Sequence, residues 1–436
     1  MPLTVTKFAP CAGCACDCDD IELLSEGGRI IEAKNACEMG RSWFLDRMND
    51  GPAATIDGKV TNVNDAIEAA AELLNAADAP LVFGLGETTY EAQRQAVALA
   101  ERLDATIDTE TSLTHGSMEL AAQLGGKVTG TLGEIRNRAD LIVYWGANPA
   151  RTHPRHLERY SVHSTGKFRL RADRTMVVVD VNESETAKQA DLFLRIRPEK
   201  DFEALTALRC LLHGQRLDES KIEETGLTLE QLRDLAGRMK QARYGVIFVG
   251  MGLIQTRGLH LNASAATSLG IALNATGRFL VMPLRIPGNI GGADAMLDCA
   301  TGHPFGVNFS RGYPRYNPGE FTAADQLVRK DVDAALIVGA NALKRLPDAA
   351  RKQLDRIPTI VIDGNLAKAN VAIATAPPGI AAGGTVYRND KIPLGLRPPL
   401  TSPRPTDEDV LRRIREAVER KPESLPTANA RMTILE

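Results

Sequence analysis

The sequence has no excess of positive charge and no long apolar run. Its 52 Lys and Arg residues face 55 Asp and Glu residues, which leaves a formal net charge of −3. A chain without a basic field does not attract nucleic acid or anionic membranes through charge. The longest apolar runs, such as residues 334–340, have the length of a strand, whereas a membrane span needs about 18 or more apolar residues. We therefore expect no nucleic-acid partner and no membrane association.

The sequence also begins without the features of an export signal. Its first seven residues, MPLTVTK, contain neither the basic region nor the apolar region that signal peptides use. We therefore expect a soluble protein of the cytoplasm.

Cysteine is scarce after residue 37 and concentrated before it. Of the seven cysteines, five lie in that first segment: Cys11, Cys14, Cys16, Cys18 and Cys37. In a reducing cytosol, such a cluster is more typical of a metal site than of disulfides. The spacing Cys11-x2-Cys14-x3-Cys18, followed by Cys37, suits a [4Fe–4S] cluster, whose four irons each take one thiolate. Tetrahedral zinc is the alternative, and Cys16 is a spare thiol that could enter either site.

Short apolar runs alternate with amphipathic segments along the rest of the chain. Segments such as 64–74, 91–103 and 201–212 have helical periodicity. Buried strands are predicted at residues 80–86, 139–144, 175–180, 245–252, 334–341 and 358–363. Buried strands that are separated by helices are typical of parallel sheets covered on both faces. The predicted fold class is α/β.

The strand ends repeat in the same order in the two halves of the chain. In each half, a strand ending in Gly-x-Gly precedes one ending in Gly-Ala-Asn and then one ending in Asp. This repeat predicts two related Rossmann-like parallel-sheet domains, at residues 61–240 and 241–395. We expect a Cys-rich Fe–S-type segment at 1–60, and a Pro-rich linker with a C-terminal helix and tail at 396–436.

The residues at these strand ends are candidates for binding nucleotides. Ligands of open parallel sheets bind beyond the carboxyl ends of the strands, where glycine permits close approach of a phosphate. The alternative is that each glycine only permits a tight connection between a strand and a helix. The candidates are Gly84, Gly86, Gly146, Asn148, Asp180, Gly250, Gly252, Gly339, Asn341 and Asp363.

Five motifs between residues 8 and 395 carry a resemblance to a known family. They are CAGCACDCDDI at 11–21, SLTHG at 112–116, RIPGN at 285–289, TGHPFGVNFSRGYPRYNPGE at 301–320 and GTVYR at 384–388. Together they resemble the molybdopterin oxidoreductase superfamily and, more narrowly, the family of formylmethanofuran dehydrogenase B subunits.

The resemblance implies a subunit that holds tungsten or molybdenum on two pterin guanine dinucleotides (bis-molybdopterin guanine dinucleotide) beside a [4Fe–4S] cluster. Such a subunit interconverts carbon dioxide and formate. The resemblance also implies that His115 and Arg285 are catalytic, and that Gly288 and Asn289 bind the cofactor. The family has a metal-ligating cysteine or selenocysteine before the histidine, but Thr114 stands there. Because a hydroxyl is a far poorer ligand than a thiolate for a soft metal site, this substitution favours loss of the redox reaction.

The resemblance also implies partner subunits. After Arg388 the chain has no room for the superfamily's C-terminal β-barrel, which formylmethanofuran dehydrogenases carry on a separate D subunit. We therefore expect no C-terminal β-barrel and an obligate hetero-oligomer with an amidohydrolase-like A subunit, a C subunit and a β-barrel D subunit. The partners would handle a methanofuran-type carrier.

These observations leave three functions to weigh. The first is the B subunit of a redox-silent formyltransferase/hydrolase complex in one-carbon metabolism, whose partners move formyl groups from a tetrahydromethanopterin carrier to a methanofuran-type carrier. The second is an active tungsten- or molybdenum-pterin dehydrogenase subunit. The third is a zinc-stabilised nucleotide-binding assembly module.

Overall fold

The computed structural model describes residues 3–48 and 51–420. Within these ranges the chain alternates strands and helices along most of its length. The strands are β1 (Thr4–Ala9), β2 (Ile21–Glu26), β3 (Arg29–Lys34), β4 (Ala54–Ile56), β5 (Lys59–Thr61), β6 (Pro80–Gly84), β7 (Thr106–Thr109), β8 (Leu141–Trp145), β9 (Thr175–Asp180), β10 (Leu192–Arg195), β11 (Tyr244–Val249), β12 (Arg278–Pro283), β13 (Val307–Asn308), β14 (Arg315–Tyr316), β15 (Ala334–Val338), β16 (Thr359–Asp363), β17 (Val371–Ala374), β18 (Thr385–Tyr387) and β19 (Pro393–Gly395).

The helices connect these strands and cover the sheets. They are α1 (Glu38–Asp46), α2 (Val63–Ala76), α3 (Tyr90–Arg102), α4 (Gly116–Gly125), α5 (Leu132–Arg138), α6 (Pro149–Thr152), α7 (His156–Arg159), α8 (Asp201–Leu212), α9 (Glu219–Glu223), α10 (Leu229–Gln241), α11 (Met251–Ile254), α12 (His260–Leu273), α13 (Ile290–Thr301), α14 (Ala323–Arg329), α15 (Asp348–Leu354) and α16 (Asp407–Arg420). No helix in the described part of the chain is long and apolar enough to cross a membrane.

Local sequence explains where the longer helices begin. The side chain of Asn62 accepts a hydrogen bond from the backbone N–H of Asp65 at the start of α2, at 2.9 Å. Thr89 caps α3 in the same way by accepting from Ala92. Short polar side chains are preferred at this position because they satisfy N–H groups that have no partner within the helix.

The strands form a small antiparallel sheet, two mainly parallel sheets and a two-stranded ribbon. The antiparallel sheet has the order β1-β2-β3, and the ribbon pairs β18 with β19. The five-stranded sheet has the order β10-β9-β8-β11-β12 and is parallel throughout. The nine-stranded sheet has the order β14-β13-β7-β6-β15-β16-β17-β4-β5, with a parallel centre from β7 to β17. The prediction of an α/β fold is confirmed, and the described residues include no barrel.

Strand pairing differs from the two consecutive domains expected at residues 61–240 and 241–395. β6 from the first half pairs with β15 from the second half, and β11 from the second half pairs with β8 from the first. Each sheet therefore has one Gly-x-Gly strand, one Gly-Ala-Asn strand and one Asp strand, but the two Gly-x-Gly strands are exchanged between the halves. The order of the strands in the sequence could not reveal this exchange. All these strands are continuously apolar, so their sequences do not indicate which strands pair with each other.

The ends of the chain also differ from the expected ranges. β4 lies within the range 1–60, and β5 crosses its end. The two strands pair with each other, and β4 pairs with β17, so they form one edge of the nine-stranded sheet and do not join the cysteine segment. Helix α16 packs on α2 and α3 through buried side chains that include Val410, Leu411 and Ile414. It is thus part of the layer that covers the nine-stranded sheet. The expected tail beyond residue 420 lies outside the described residues.

Candidate functional site

The four cysteines predicted to bind metal line one small cavity. Cys11, Cys14 and Cys18 come from the loop between β1 and β2, and Cys37 precedes α1, where its sulfur accepts from Gly40 N–H at 3.4 Å. A Cβ on Gly40 would stand 3.2 Å from Cys11 Sγ and 3.8 Å from Cys37 Sγ, and would thus occupy the space between them. The fold therefore brings together the four thiols that the spacing singled out.

Burial sets the protonation of three of these thiols, whereas a hydrogen bond with Cys16 lowers the pKa of Cys14. Burial raises the pKa of Cys11, Cys18 and Cys37, because a buried thiolate is poorly solvated and its neighbours are also thiols. A positively charged metal group in the cavity would favour the thiolate form of each. No group of three or more His, Cys, Asp or Glu side chains in residues 3–48 and 51–420 is arranged to hold a metal ion. The four thiols nevertheless line one common cavity.

Two arginines of the segment around α7 hold the cysteine loop. Arg155 makes two parallel hydrogen bonds to the carboxylate of Asp20, at 2.7 and 2.8 Å, and also lines the cysteine cavity. Arg159 pairs with Asp19 and Asp20. Paired carboxylate–guanidinium contacts fix orientation as well as charge. The loop is thus tied to the connection that follows β8.

Thr114 and His115 lie in the turn between β7 and α4. The hydroxyl of Thr114 donates to the carbonyl oxygen of Glu110 at 2.7 Å, and this side chain is nearly buried. His115 is buried, and neither of its ring nitrogens has a hydrogen-bond partner. Burial lowers the pKa of His115 well below its usual value, and the nearby Arg285 lowers it further. The imidazole is therefore neutral at neutral pH, with two polar atoms available to a bound group.

Arg285 lies close to His115 but is held by two carboxylates of its own chain. Its guanidinium, 4% exposed, forms ion pairs with Glu119 of α4 and Asp294 of α13. Burial alone would raise the pKa of Glu119, but the charges of Arg285 and Lys127 lower it to about 2. The backbone carbonyl of Arg285 accepts a hydrogen bond from His153 Nε2 at 2.8 Å. The structure therefore brings Thr114, His115 and Arg285 into one buried region.

Glu119, Lys127, Asp294 and Lys391 were missed by the sequence analysis. All four surround Arg285. A cavity of about 80 Å³ is lined by Glu119, Lys127 and Lys391, together with Arg285 and Asn389. The available signal was a carboxylate within an otherwise weakly polar stretch of helix, as in GSMELAAQLG of α4 and in IGGADAM at the start of α13. Such a carboxylate is retained in a buried position only when it is paired.

The predicted glycines of the five-stranded sheet pack against each other. A Cβ on Gly250 would stand 2.1 Å from the carbonyl oxygen of Gly146, and one on Gly146 would stand 2.4 Å from Leu253 N. The N–H of Gly252 donates to the carbonyl of Gly146 at 3.0 Å. Contact between the two loops therefore explains these three glycines without any ligand.

The glycines beside the nine-stranded sheet also lie against protein atoms. A Cβ on Gly84 would stand 2.3 Å from Val338 O, and one on Gly86 would stand 2.4 Å from Pro287 Cγ. Gly288 approaches the cysteine loop, because its Cβ would stand 2.1 Å from Ala12 O. Gly339 has φ +89, a backbone conformation that favours glycine, and a Cβ there would stand 3.5 Å from Glu87 Cβ.

The polar side chains at the strand ends have partners within the chain. Asn341 Nδ2 donates to Glu87 at 3.0 Å, and Asn148 Nδ2 donates to Glu185 at 2.7 Å. Asp363 accepts from the backbone N–H groups of Ala340 and Gly364, and Asp180 accepts from that of Val181. Asn289 is buried, donates to Thr88 O and accepts from Tyr387 N–H. Each of these side chains therefore has a structural role, because its hydrogen bonds stabilise the turns at the strand ends.

A cleft of about 580 Å³ lies between the cysteine segment and the strand ends of both large sheets. Arg151, just after the Gly-Ala-Asn turn of β8, and Asn341, in the equivalent turn of β15, both line it. Trp43 of α1 and Arg47, which directly follows this helix, also line it. The indole N–H of Trp43 is buried without a hydrogen-bond partner. The two turns therefore share one cleft, and Trp43 in its lining has a polar atom that a bound group would satisfy. His115 is not among the residues that line this cleft.

Comparison with known proteins defines the class of this chain. A sequence model of the family described as molybdopterin oxidoreductase matches residues 62–374. The B subunit of the tungsten-containing formylmethanofuran dehydrogenase 2 of Methanocaldococcus jannaschii is 39% identical over 92% of this chain and 94% of its own length. The chain therefore belongs to the molybdopterin oxidoreductase family and, within it, to the family of formylmethanofuran dehydrogenase B subunits.

A bacterial complex supplies a second group of relatives. The B subunit of the formyltransferase/hydrolase complex Fhc of Methylorubrum extorquens is 26% identical over 78% of this chain and 89% of its own length. A chain in the crystal structure of that complex with methylofuran superposes with a TM-score of 0.69 and 26% identity. That match covers 84% of this chain and 99% of the other. Both branches of the predicted resemblance are thus confirmed.

The buried histidine of α7 gives a pH-dependent prediction. Burial lowers the pKa of His156 to about 3, whereas an unfolded histidine titrates near ~6.5. Between these values only the unfolded chain takes up the proton, so the folded state loses stability as the pH falls. Between pH 7.5 and 5, we expect the free energy of unfolding of His156→Gln to fall by about 2 kcal/mol less than that of the wild type. Urea unfolding at both pH values measures this difference.

His213→Gln, at an exposed position after α8, is the matched control and should follow the wild-type pH dependence. Bound metal should be unchanged in His156→Gln, because this ring is not among the residues that line the cysteine cavity. Equal pH dependence in wild type and His156→Gln would contradict the prediction.

Proposed function

We propose that this chain is the redox-silent B subunit of a formyltransferase/hydrolase complex in one-carbon metabolism. Thr114 carries the proposal, because it stands where the family has the cysteine or selenocysteine ligand of the metal. The partner subunits would transfer a formyl group from a tetrahydromethanopterin carrier to a methanofuran-type carrier and hydrolyse it to formate. This chain would act as their scaffold.

The environment of Thr114 supports loss of the metal ligand. Its hydroxyl proton is used in the hydrogen bond to Glu110 O, and a neutral hydroxyl is a weak ligand for a soft metal. The nearby Arg285 is paired with Glu119 and Asp294, so that a formate anion would compete with two buried carboxylates for the guanidinium. A redox-silent subunit needs neither group for chemistry.

We propose that Cys11, Cys14, Cys18 and Cys37 bind a [4Fe–4S] cluster. Their shared cavity supports this assignment, and so does Arg155 at its wall, because a guanidinium offsets the negative charge of four thiolates. Cys16 is buried beside Cys14, which makes it the alternative ligand. In a redox-silent subunit the cluster would hold the cysteine loop against the rest of the fold.

A pterin guanine dinucleotide pair would lie at the strand ends of two Rossmann-like units. The shared cleft and the unpartnered indole N–H of Trp43 in its lining support this placement. When bound with tungsten or molybdenum, this group supplies the oxidation and reduction of a one-carbon substrate. The candidates for holding it are Gly84, Gly86, Gly146, Asn148, Asp180, Gly250, Gly252, Gly288, Asn289, Gly339, Asn341 and Asp363. Their contacts within the chain make the backbone of these turns, more than the side chains, the expected point of contact.

The proposed partners are the amidohydrolase-like A subunit, the C subunit and a β-barrel D subunit. The multisubunit composition of the M. extorquens complex supports a hetero-oligomer, and its methylofuran supports a carrier of the methanofuran type. We place the complex in the cytoplasm.

An active dehydrogenase subunit is the second candidate. Two observations favour it: the 39% identity to a tungsten-containing relative, and the complete set of four cysteines around one cavity. His115 would then handle a proton and Arg285 would pair with a formate-like anion, if the carboxylates released it.

Activity of the purified complex separates the two candidates. We expect release of formate from a formylated carrier, without reduction of a viologen dye by formate. A Thr114→Cys variant places the family's thiol ligand at this position. The matched control is Thr114→Ser, which keeps a hydroxyl there. Formate-dependent dye reduction by the wild-type complex would overturn the redox-silent assignment.

A further inference from the structure

Helix α1 forms a wall that the cysteine cavity and the large cleft share. Met39 lines both spaces, whereas Trp43 and Asp46 line only the cleft. We propose that α1 binds, in this cleft, the edge that guanine and pterin rings have in common, a carbonyl oxygen beside a ring N–H and an amino group. Trp43 donates to the carbonyl oxygen, and Asp46 accepts from the two nitrogens. This inference rests on the proposed pterin guanine dinucleotide, but not on a bound metal or on redox activity.

Trp43 is a hydrogen-bond donor that the fold holds in one position. Its side chain is 5% exposed, and its indole N–H has no hydrogen-bond partner among the described residues. The guanidinium of Arg47 lies 3.8 Å from the centre of the Trp43 ring, and Arg47 pairs with Glu87 at 2.6 Å. A Cβ on Gly13 of the cysteine loop would stand 3.4 Å from Trp43 Cβ. Because an indole N–H can only donate, the group that satisfies it must present an acceptor.

Asp46 places an acceptor beside this donor. It follows Trp43 by three residues on α1, and side chains at this spacing are neighbours on a helix surface, with ~5–6 Å between their Cβ atoms. The hydroxyl of Ser42, which also lines the cleft, donates to Asp46 Oδ2 at 2.6 Å and so orients the carboxylate. An ionised carboxylate accepts several hydrogen bonds, so Asp46 can also accept from N–H groups of a ligand.

One fixed donor beside one carboxylate selects a particular kind of ring. Guanine and pterin present an accepting oxygen next to two donating nitrogens, which is the complementary pattern. Adenine has an amino group where guanine has the carbonyl oxygen, so its donor would face the indole donor. Such a mismatch leaves buried polar groups unpaired and weakens binding. Arg151, which also lines the cleft of about 580 Å³, provides a guanidinium suited to the phosphates of the same ligand.

The test uses the intact complex, produced in a host that cannot synthesise the pterin cofactor. Equilibrium dialysis measures its binding of GMP, of pterin and of AMP. We expect GMP, pterin or both to bind about tenfold or more tightly than AMP. Trp43→Phe keeps an aromatic ring but removes the N–H, and should weaken this binding about tenfold while the affinity for AMP stays unchanged. Asp46→Asn replaces an accepting oxygen by a donor and should have a similar effect.

Two matched controls change the same chemical groups outside the cleft. Tyr313→Phe removes a polar atom from a ring that is 54% exposed, and Asp348→Asn changes a carboxylate that is 80% exposed. Both should bind the three probes as the wild type does. Circular dichroism and the subunit composition show whether each variant has folded and assembled.

The probes also identify which ring lies against α1. Trp43-dependent binding of GMP alone assigns the guanine ring to this wall, and Trp43-dependent binding of pterin alone assigns the pterin ring. Equal affinities in a folded Trp43→Phe variant and the wild type overturn the inference. So does a wild-type complex that binds none of the probes, or that binds GMP and pterin no better than AMP.

Formate release by the same wild-type complex separates this inference from the proposed function. Release of formate without Trp43-dependent binding overturns only the inference. Trp43-dependent binding without release of formate overturns only the formyltransferase/hydrolase assignment.

Discussion

Cys37→Ser is expected to abolish binding of the proposed iron–sulfur cluster while the helix that follows stays capped. Cys37 serves two purposes: its thiol lines the cysteine cavity, and its sulfur accepts from Gly40 N–H at the start of α1. Serine is a preferred residue at such a cap, but its hydroxyl is a poor ligand for iron. We therefore expect iron to fall from about four atoms per chain to a small fraction, with loss of the visible absorption. Iron analysis and an absorption spectrum of the complex measure both.

Two controls separate ligation from general damage. Cys210→Ser changes a thiol of α8 outside the cysteine cavity and should retain all the iron. Cys16→Ser tests whether the spare thiol is a ligand, and we expect it to retain iron as well. Full iron content in Cys37→Ser would contradict the assignment, and stoichiometric zinc in the wild-type complex would favour the zinc module instead.

Arg285→Met is expected to destabilise the folded protein by about 3–5 kcal/mol. The substitution leaves Glu119 and Asp294 buried without their guanidinium partner, and an uncompensated buried carboxylate is costly. Lys127 and Lys391 lie nearby and compensate in part, which favours the lower end of the range. Arg285→Lys should not restore the wild-type stability, because an ammonium cannot bond two separated carboxylates as a guanidinium does. Urea unfolding of the complex measures these effects.

Arg238→Met provides the comparison for this loss. Arg238 pairs with Asp234 at 2.8 Å, but both side chains are more than one third exposed, so the pair contributes little. We expect a loss below about 1 kcal/mol. A similarly small loss in Arg285→Met would show that the buried ion pairs do not hold this region together.

The strands could be predicted from the sequence because they are buried on both faces. The run at 175–180 coincides with β9, and the run at 334–341 contains β15 followed by its Gly-Ala-Asn turn. Which strands are neighbours could not be predicted, since every run is equally apolar. The exchange of β6 and β11 between the sheets depends on long crossover connections, which leave no local pattern in the sequence.

The candidate site was predictable to the extent that its chemistry is local. Four cysteines with metal-ligand spacing and the Thr114–His115 pair stand out in the sequence, and the fold brings each set together. The carboxylates that hold Arg285 come from two different helices, and only the tertiary structure brings them to the guanidinium. Gly146 and Gly250 were assigned to nucleotide binding from their position at the strand ends, but their contact with each other is sufficient reason for glycine.

Elemental analysis of the intact complex tests the central claim most directly. If Thr114 marks the loss of the redox centre, the complex contains about four irons per copy of this chain and no stoichiometric tungsten or molybdenum. One tungsten or molybdenum per copy, with pterin guanine dinucleotide released on denaturation, would contradict the claim and identify a working dehydrogenase subunit.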